Sequence, residues 1–264
     1  IFGSFDPKTR QRMIQEFFLL VPKKNGKTVY ASAIMIVAML MNRRPNAEFN
    51  LIAPTKEIAS RSFRNIANMV KADPLLHKLF LIKDHEKTIN FVAENYEGSG
   101  SYLKVISSDL QTITGTTALF VLVDEVHEFS KHANAKQVFV EIRGALGANP
   151  DGCLIQISTQ SKDVPAGAFK SELRNARSVR DGAAIEIDEE DGEVAPQSLL
   201  PIIYELPDDL TADEGWKKRN VWPLVNPNLN LSVRESFLAG ELSKAEADGA
   251  GAVGLFASQH LNIE

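Results

Sequence analysis

Eight residues, Val21-Pro22-Lys23-Lys24-Asn25-Gly26-Lys27-Thr28, put a tight turn, a lysine and a hydroxyl in the order that cradles phosphate. In such a loop, backbone N–H groups and a helix N-terminus face the anion, the lysine reaches the terminal phosphates, and the hydroxyl ligates Mg²⁺. Lys23, Lys24, Asn25, Gly26, Lys27 and Thr28 are therefore the candidate nucleotide-binding residues. The match to G-x-x-x-x-G-K-[ST] is incomplete, because Val21 stands where the first glycine belongs.

A phosphate loop needs a partner that holds the metal and activates water. The apolar run Leu119-Phe120-Val121-Leu122-Val123 ends in Asp124-Glu125, and Asp124 lies 97 residues beyond Lys27. Carboxylates at the end of a buried strand need a reason, since desolvating a charge is expensive. Here Asp124 is placed to hold Mg²⁺ through its water shell, and Glu125 to act as the catalytic carboxylate that orients or deprotonates water. The competing reading is an acidic helix cap after a strand. A third cluster, Ser158-Thr159-Gln160, closes another apolar run and suits either sensing of a γ-phosphate or capping of a turn. Lys56, Arg61 and Arg64 suit a nucleic-acid backbone and surface ion pairing equally.

These residues must be positioned by elements, and the hydrophobic pattern supplies them. Short apolar runs predict strands near 15–21, 49–53, 103–107, 119–124, 153–158 and 201–206. Helical spacing fits 27–42, 56–71, 134–146, 165–178, 232–247 and 251–259. Alternation of this kind predicts an α/β fold with a mostly parallel central sheet flanked by helices. Ligands then bind at the C-terminal ends of the strands, where the loop, Asp124-Glu125 and Ser158 all fall. Glu97-Gly98-Ser99-Gly100-Ser101 reads as a hairpin or loop and not as a dinucleotide fingerprint, because the third glycine and a following helix are missing.

Composition sets limits. The 264 residues are 44% hydrophobic and 24% charged, as in ordinary globular proteins. No apolar run reaches the roughly 18 residues of a membrane span. With no signal peptide pattern, a cytoplasmic setting is expected. The lone Cys153 reads as a buried strand residue. The net charge of −5 is uneven: residues 1–180 carry 24 Lys and Arg against 17 Asp and Glu, whereas 181–215 carry 12 acidic residues and no basic one. The first two thirds can therefore face a polyanion. Asp188-Glu189-Glu190-Asp191 reads as a solvated turn between β segments, with no ligand spacing for a cation.

The motif set resembles the ATPase region of tailed-bacteriophage terminase large subunits. Pro22-Lys23-Lys24-Asn25-Gly26-Lys27-Thr28 is similar to their phosphate loop, Asp124-Glu125-Val126-His127 to their acidic motif, and Ser158-Thr159-Gln160 to their coupling motif. Ile1-Phe2-Gly3, Thr9-Arg10 and His260-Leu261-Asn262-Ile263 are similar to the region's start and end. The resemblance implies a P-loop NTPase fold of the RecA-like (ASCE) type. It also implies an Mg²⁺-dependent ATPase that drives double-stranded DNA into a procapsid in the host cell cytoplasm. The implied partners are DNA, the portal protein, a small terminase subunit and further copies of the chain in a ring, with no membrane. Lys27 and Thr28 then bind phosphate and Mg²⁺, Asp124 binds Mg²⁺, Glu125 is catalytic, and Ser158, Thr159 and Gln160 couple hydrolysis to movement. Lys23 stands where many relatives have Arg, and lysine lacks the planar guanidinium fork. Arg143 is the candidate arginine supplied in trans to a neighbour's γ-phosphate.

One domain is expected over 1–264, with a nucleotide-binding core over roughly 1–180 and an acidic β insertion and helical part over 181–264. The family's nuclease domain, and an N-terminal stretch that contacts adenine, are expected to lie outside this chain. The alternative is the first RecA-like domain of a superfamily 2 helicase, whose D-E-x-H box Asp124 to His127 also satisfies.

Overall fold

Helices cover both faces of a central sheet, which is why its inner strands are apolar almost throughout. The computed structural model describes residues 1–9, 11–107, 117–132, 134–147, 149–182 and 198–264. Among these, eight strands form one sheet: β1 (Glu16–Leu20), β2 (Glu48–Ala53), β3 (Phe80–Lys83), β4 (Thr88–Phe91), β5 (Tyr102–Ser107), β6 (Phe120–Asp124), β7 (Cys153–Ser158) and β8 (Leu199–Ile203). Their spatial order is β3-β4-β5-β2-β6-β7-β1-β8. All neighbours pair in parallel except β4, which runs against both β3 and β5.

The period of two along each strand divides the core. Phe17, Leu51 and Leu122 face one side with Met35 and Met39 of α1 (Lys27–Met41) and Phe63 and Ile66 of α2 (Lys56–Ala72). Phe18, Leu20, Val121 and Val123 face the other, with Phe139 and Ile142 of the α4 helix (Ala135–Gly147) and Phe169 and Leu173 of α5 (Gly167–Arg180). A third cluster joins Trp216, Trp222 and Val225 to Leu238 of α6 (Glu235–Asp248) and Phe256 of α7 (Ala250–Leu261). Trp222 is fully buried there, and its indole N–H donates to the Trp216 carbonyl at 2.9 Å.

The expected strands and helices are present, and the structure adds others. Helix α3 (Pro74–Leu79) and the β3–β4 hairpin follow α2 directly. Asp73-Pro74 was the available signal: the Asp73 carboxylate caps the N–H groups of Leu75 and Leu76 at 2.8 and 3.1 Å, and proline opens the helix. The Gly-Ser-Gly-Ser segment joins β4 to β5 as a hairpin connection. A Cβ on Gly98 would sit 2.4 Å from the Asn42 carbonyl oxygen, so only glycine fits. Cys153 is buried on β7 as expected. The acidic turn around 188–191 and Arg10 lie outside the described residues. Among the described residues no helix is long and apolar enough to cross a membrane.

Candidate nucleotide site

The phosphate loop leaves the C-terminal end of β1 and turns into α1. Its first N–H, on Val21, extends the sheet by donating to the Ser158 carbonyl at 3.1 Å. The loop then reverses through two left-handed residues, Lys24 at φ 70° and Gly26 at φ 82°. Lysine in that region costs of order 1–3 kcal/mol, a strain that such loops hold at functional sites. No side chain caps α1, and its first turn carries no acidic residue. Its N-terminal N–H groups therefore suit an incoming anion. Val21, in the place of the missing glycine, is buried, and its carbonyl accepts from Lys27 Nζ at 3.4 Å and from Thr159 Oγ1 at 3.2 Å. The backbone supplies what this position contributes, so a side chain there is tolerated.

Lys27 folds under the loop and is only 7% exposed. Its ammonium also donates to Thr159 Oγ1. Burial lowers its pKa, and the charges of Glu125 and Asp124 offset part of that shift. The half-buried Lys23 is lowered in the same direction, by burial first and then by Lys162, while Glu125 and Glu128 oppose. Both lysines thus lie in the field of the acidic motif.

Asp124 ends β6 with no exposed surface. Its Oδ1 accepts the Glu125 N–H at 2.9 Å, while Oδ2 is buried without a hydrogen bond. Burial, then the neighbouring Glu125, pushes its pKa up to about 7, against the pull of Lys27, the Glu125 N–H and the Ser62 hydroxyl on α2. Ser62 is a neighbour that sequence spacing did not indicate. Glu125 itself is left-handed, at φ 52° and ψ 51°, and its Oε2 is likewise buried without a hydrogen bond. A non-glycine residue held in this region is costly, and such residues cluster at active sites. Both carboxylates lie in the field of the buried Lys27 ammonium.

Strand β7 lies between β6 and β1, so its end falls between the acidic motif and the phosphate loop. The three residues expected to act together there diverge. Ser158 Oγ accepts the His127 N–H at 3.0 Å, and Thr159 Oγ1 meets Lys27. Gln160 turns away: its N–H donates to Asn262 Oδ1 at 3.0 Å and its amide reaches Glu264 at 3.4 Å. The structure therefore brings Ser158 and Thr159 to the site, and it sends the Gln160 side chain toward the C-terminal segment.

Arg143 is also placed differently from the expectation. It donates to both oxygens of Glu16 at 2.8 and 3.0 Å and to both of Glu172 at 3.1 and 2.7 Å. These hydrogen bonds hold its pKa above the ordinary arginine value against the effect of burial. Glu16 opens β1, at the sheet edge opposite the phosphate loop. Reaching a neighbour's γ-phosphate would leave two carboxylates unpaired, so this pairing argues against the role in trans.

A polar clamp from the C-terminal part was not foreseen. Asn25 donates to Asn226 Oδ1 at 2.7 Å, while Asn228 N–H donates to Asn25 Oδ1 at 3.1 Å and Asn228 Nδ2 to the Asn25 carbonyl at 2.7 Å. Ser232 Oγ donates to the Lys24 carbonyl at 2.5 Å, and the Lys23 N–H donates to the Gln259 carbonyl at 2.9 Å. His260 packs against Phe256 and Phe237, and burial with Lys23 and Lys24 nearby lowers its pKa to about 4, so it is neutral near pH 7. Asparagines at 226, 228 and 230 are residue types that suit an irregular turn, and nothing in their spacing points to the phosphate loop. Asn25→Ala strands the buried Asn226 Oδ1 and the half-buried Asn228 N–H, at about 1–3 kcal/mol for a buried unsatisfied group. A melting temperature lowered by several degrees is the expected result; an unchanged one would dismiss the clamp as a stabilising contact.

The family model described as "Terminase large subunit, ATPase domain" matches residues 1–177. The chain belongs to the terminase large-subunit ATPase family. The fold of this terminase ATPase chain is similar to the large terminase of bacteriophage HK97 (TM-score 0.73, 22% identity, covering 95% of this chain and 47% of that one). It is also similar to the ATPase domain of the Thermus phage P74-26 large terminase (TM-score 0.51, 17% identity, 80% and 84% covered). A third similar structure is the large terminase of the thermophilic bacteriophage D6E in complex with ATP-gamma-S (TM-score 0.50, 15% identity, 82% and 45% covered). At these identities the likeness is one of fold. The chain spans about half the length of the HK97 protein, 47%. No curated protein matches it in sequence. The family assignment disfavours the helicase alternative.

Proposed function

We propose that this chain hydrolyses ATP as the motor domain of a DNA-packaging terminase. The observation that carries the reading is the convergence of Lys27, Asp124, Glu125 and Thr159 at one sheet edge, with the buried Asp124 Oδ2 left without a hydrogen bond. Lys27 and the α1 N-terminus hold the phosphates, and Thr159 keeps the Lys27 ammonium beneath them. Glu125 orients a water molecule and takes its proton as the γ-phosphorus is attacked. Thr28 and Asp124 are the residues that would hold Mg²⁺, and the unpartnered Asp124 Oδ2 fits that use. When bound, the ion neutralises charge on the β- and γ-phosphates. No cluster of three acidic, His or Cys ligands exists among the described residues, which suits a metal shared with nucleotide phosphates.

The ATP-gamma-S complex of the D6E relative supports the nucleotide reading. Double-stranded DNA is the proposed track, and the portal protein, a small terminase subunit and neighbouring copies in a ring are the proposed partners in the host cell cytoplasm. Lys56, Arg61 and Arg64 on α2 make no ion pair among the described residues, which leaves them available to DNA phosphates. The test is a packaging assay with proheads and the full-length subunit, together with ATP turnover with and without duplex DNA. ATP-dependent protection of DNA inside heads is expected. Strand separation of a forked duplex without packaging would sink the proposal.

A further inference from the structure

His127 lies two residues beyond the catalytic carboxylate, in a 3₁₀ helix (Val126–Lys131), and is 5% exposed. Its ring stands edge-on to Phe169, with centroids 6.2 Å apart. Nδ1 lies 3.4 Å from Glu125 Oε2 and 3.3 Å from Ser158 Oγ, and Nε2 lies 3.4 Å from Glu128 Oε1. The Ser158 hydroxyl already gives its hydrogen to the Thr159 carbonyl at 2.9 Å. Toward His127 it can only accept, so the ring nitrogen facing it carries the hydrogen. The same nitrogen lies at ion-pair distance, 3.4 Å, from the Glu125 oxygen that accepts no hydrogen bond. Burial lowers the His127 pKa, while the charges of Glu125 and Glu128 pull it up.

We propose that His127 is a positioning residue whose Nδ1–H holds the Glu125 carboxylate and ties it to Ser158 at the end of β7. From Ser158 the path continues through Thr159, whose hydroxyl meets Lys27. Catalytic carboxylate, strand end and phosphate-loop lysine are then one polar chain of contacts, so a nucleotide that moves Lys27 also moves Glu125. The Glu125 side chain makes no capping hydrogen bond to its own helix, so its restraint has to come from another residue. The inference rests on Glu125 being the residue that activates water.

The test compares wild type, His127→Phe and His127→Asn. Phenylalanine keeps the packing against Phe169 but offers no N–H, whereas asparagine places an amide N–H near the position of Nδ1. His127→Phe is expected to lose about a hundredfold in kcat, the scale of a misplaced catalytic group. KM for ATP and the melting temperature should stay close to wild type, and His127→Asn should recover most of the rate. Wild-type kcat in His127→Phe overturns the proposal; so does an equal loss in both variants with lowered melting temperatures, which marks a packing role. The ring ¹⁵N resonances of His127 read the same contacts without turnover. Glu125→Gln and Ser158→Ala should each shift Nδ1, and no shift in either overturns the proposal. Wild type that fails to hydrolyse ATP yet shows both shifts upholds the contacts and rejects only the ATPase reading.

Discussion

Glu125→Gln is expected to lower ATP turnover by about 10²- to 10⁴-fold, the span that a general base contributes, while nucleotide binding stays near wild type. Glutamine keeps the volume of the side chain and its reach toward His127, so the fold and the phosphate loop are unaffected. It loses only the negative charge that orients water and accepts its proton. Removing that charge also relieves Asp124, whose pKa Glu125 helps to raise. The variant should therefore be at least as stable as wild type, and a melting curve checks this beside a phosphate-release assay. Normal turnover in Glu125→Gln would remove the residue from the catalytic role.

Lys27→Ala should abolish hydrolysis and also weaken nucleotide binding, in contrast to Glu125→Gln. A charge-assisted hydrogen bond is worth about 1.5–3 kcal/mol, so affinity should fall by roughly ten- to more than a hundredfold. The scaffold tolerates the loss, because Thr159 Oγ1 still donates to the Val21 carbonyl at 3.2 Å. Burying an ammonium to 7% exposure is unfavourable unless its charge is used, and the two carboxylates nearby offset only part of that cost. Lys27→Arg is not expected to rescue, since a planar guanidinium fork does not reproduce the compact ammonium that meets Val21 and Thr159. Titration of a fluorescent ATP analogue checks the prediction, and wild-type affinity in Lys27→Ala would overturn the phosphate-binding role.

The two variants separate binding from chemistry because their residues follow different strands. Lys27 follows β1 and Glu125 follows β6, with β7 between them. Ser158 at the end of β7 and Thr159 just beyond it touch both sides, which makes this strand end the physical route between the two functions.

Much of this was legible in the chain. Lys27-Thr28 after an apolar run and Asp124-Glu125 after another are local patterns, in which residue type and strand context sit within a few positions. The parallel α/β architecture followed from alternating apolar runs and helical spacing, because burial on both faces demands them. Helix α3 went unread because its six residues are too short for a period to show, although Asp73-Pro74 marked its start. Val21 looked like a defect in the loop because a pattern of residue types does not show that a backbone carbonyl serves at that position.

Tertiary structure alone decided how the parts are wired. Asn25 is clamped by Asn226 across 201 residues, Gln160 turns to Asn262 across 102, and His127 meets Ser158 across 31. Arg143 had the right type for a finger supplied in trans, yet Glu16 holds it across 127 residues. No local pattern encodes such pairs, because they depend on strand order and on which helix packs over which edge. Sequence by itself determined the chemical groups of this terminase ATPase chain and the sheet edge they occupy, since side-chain type and period are properties of neighbouring residues. The fold determined which of those groups remain free for a ligand, since a hydrogen bond made within the chain removes a group from any other use.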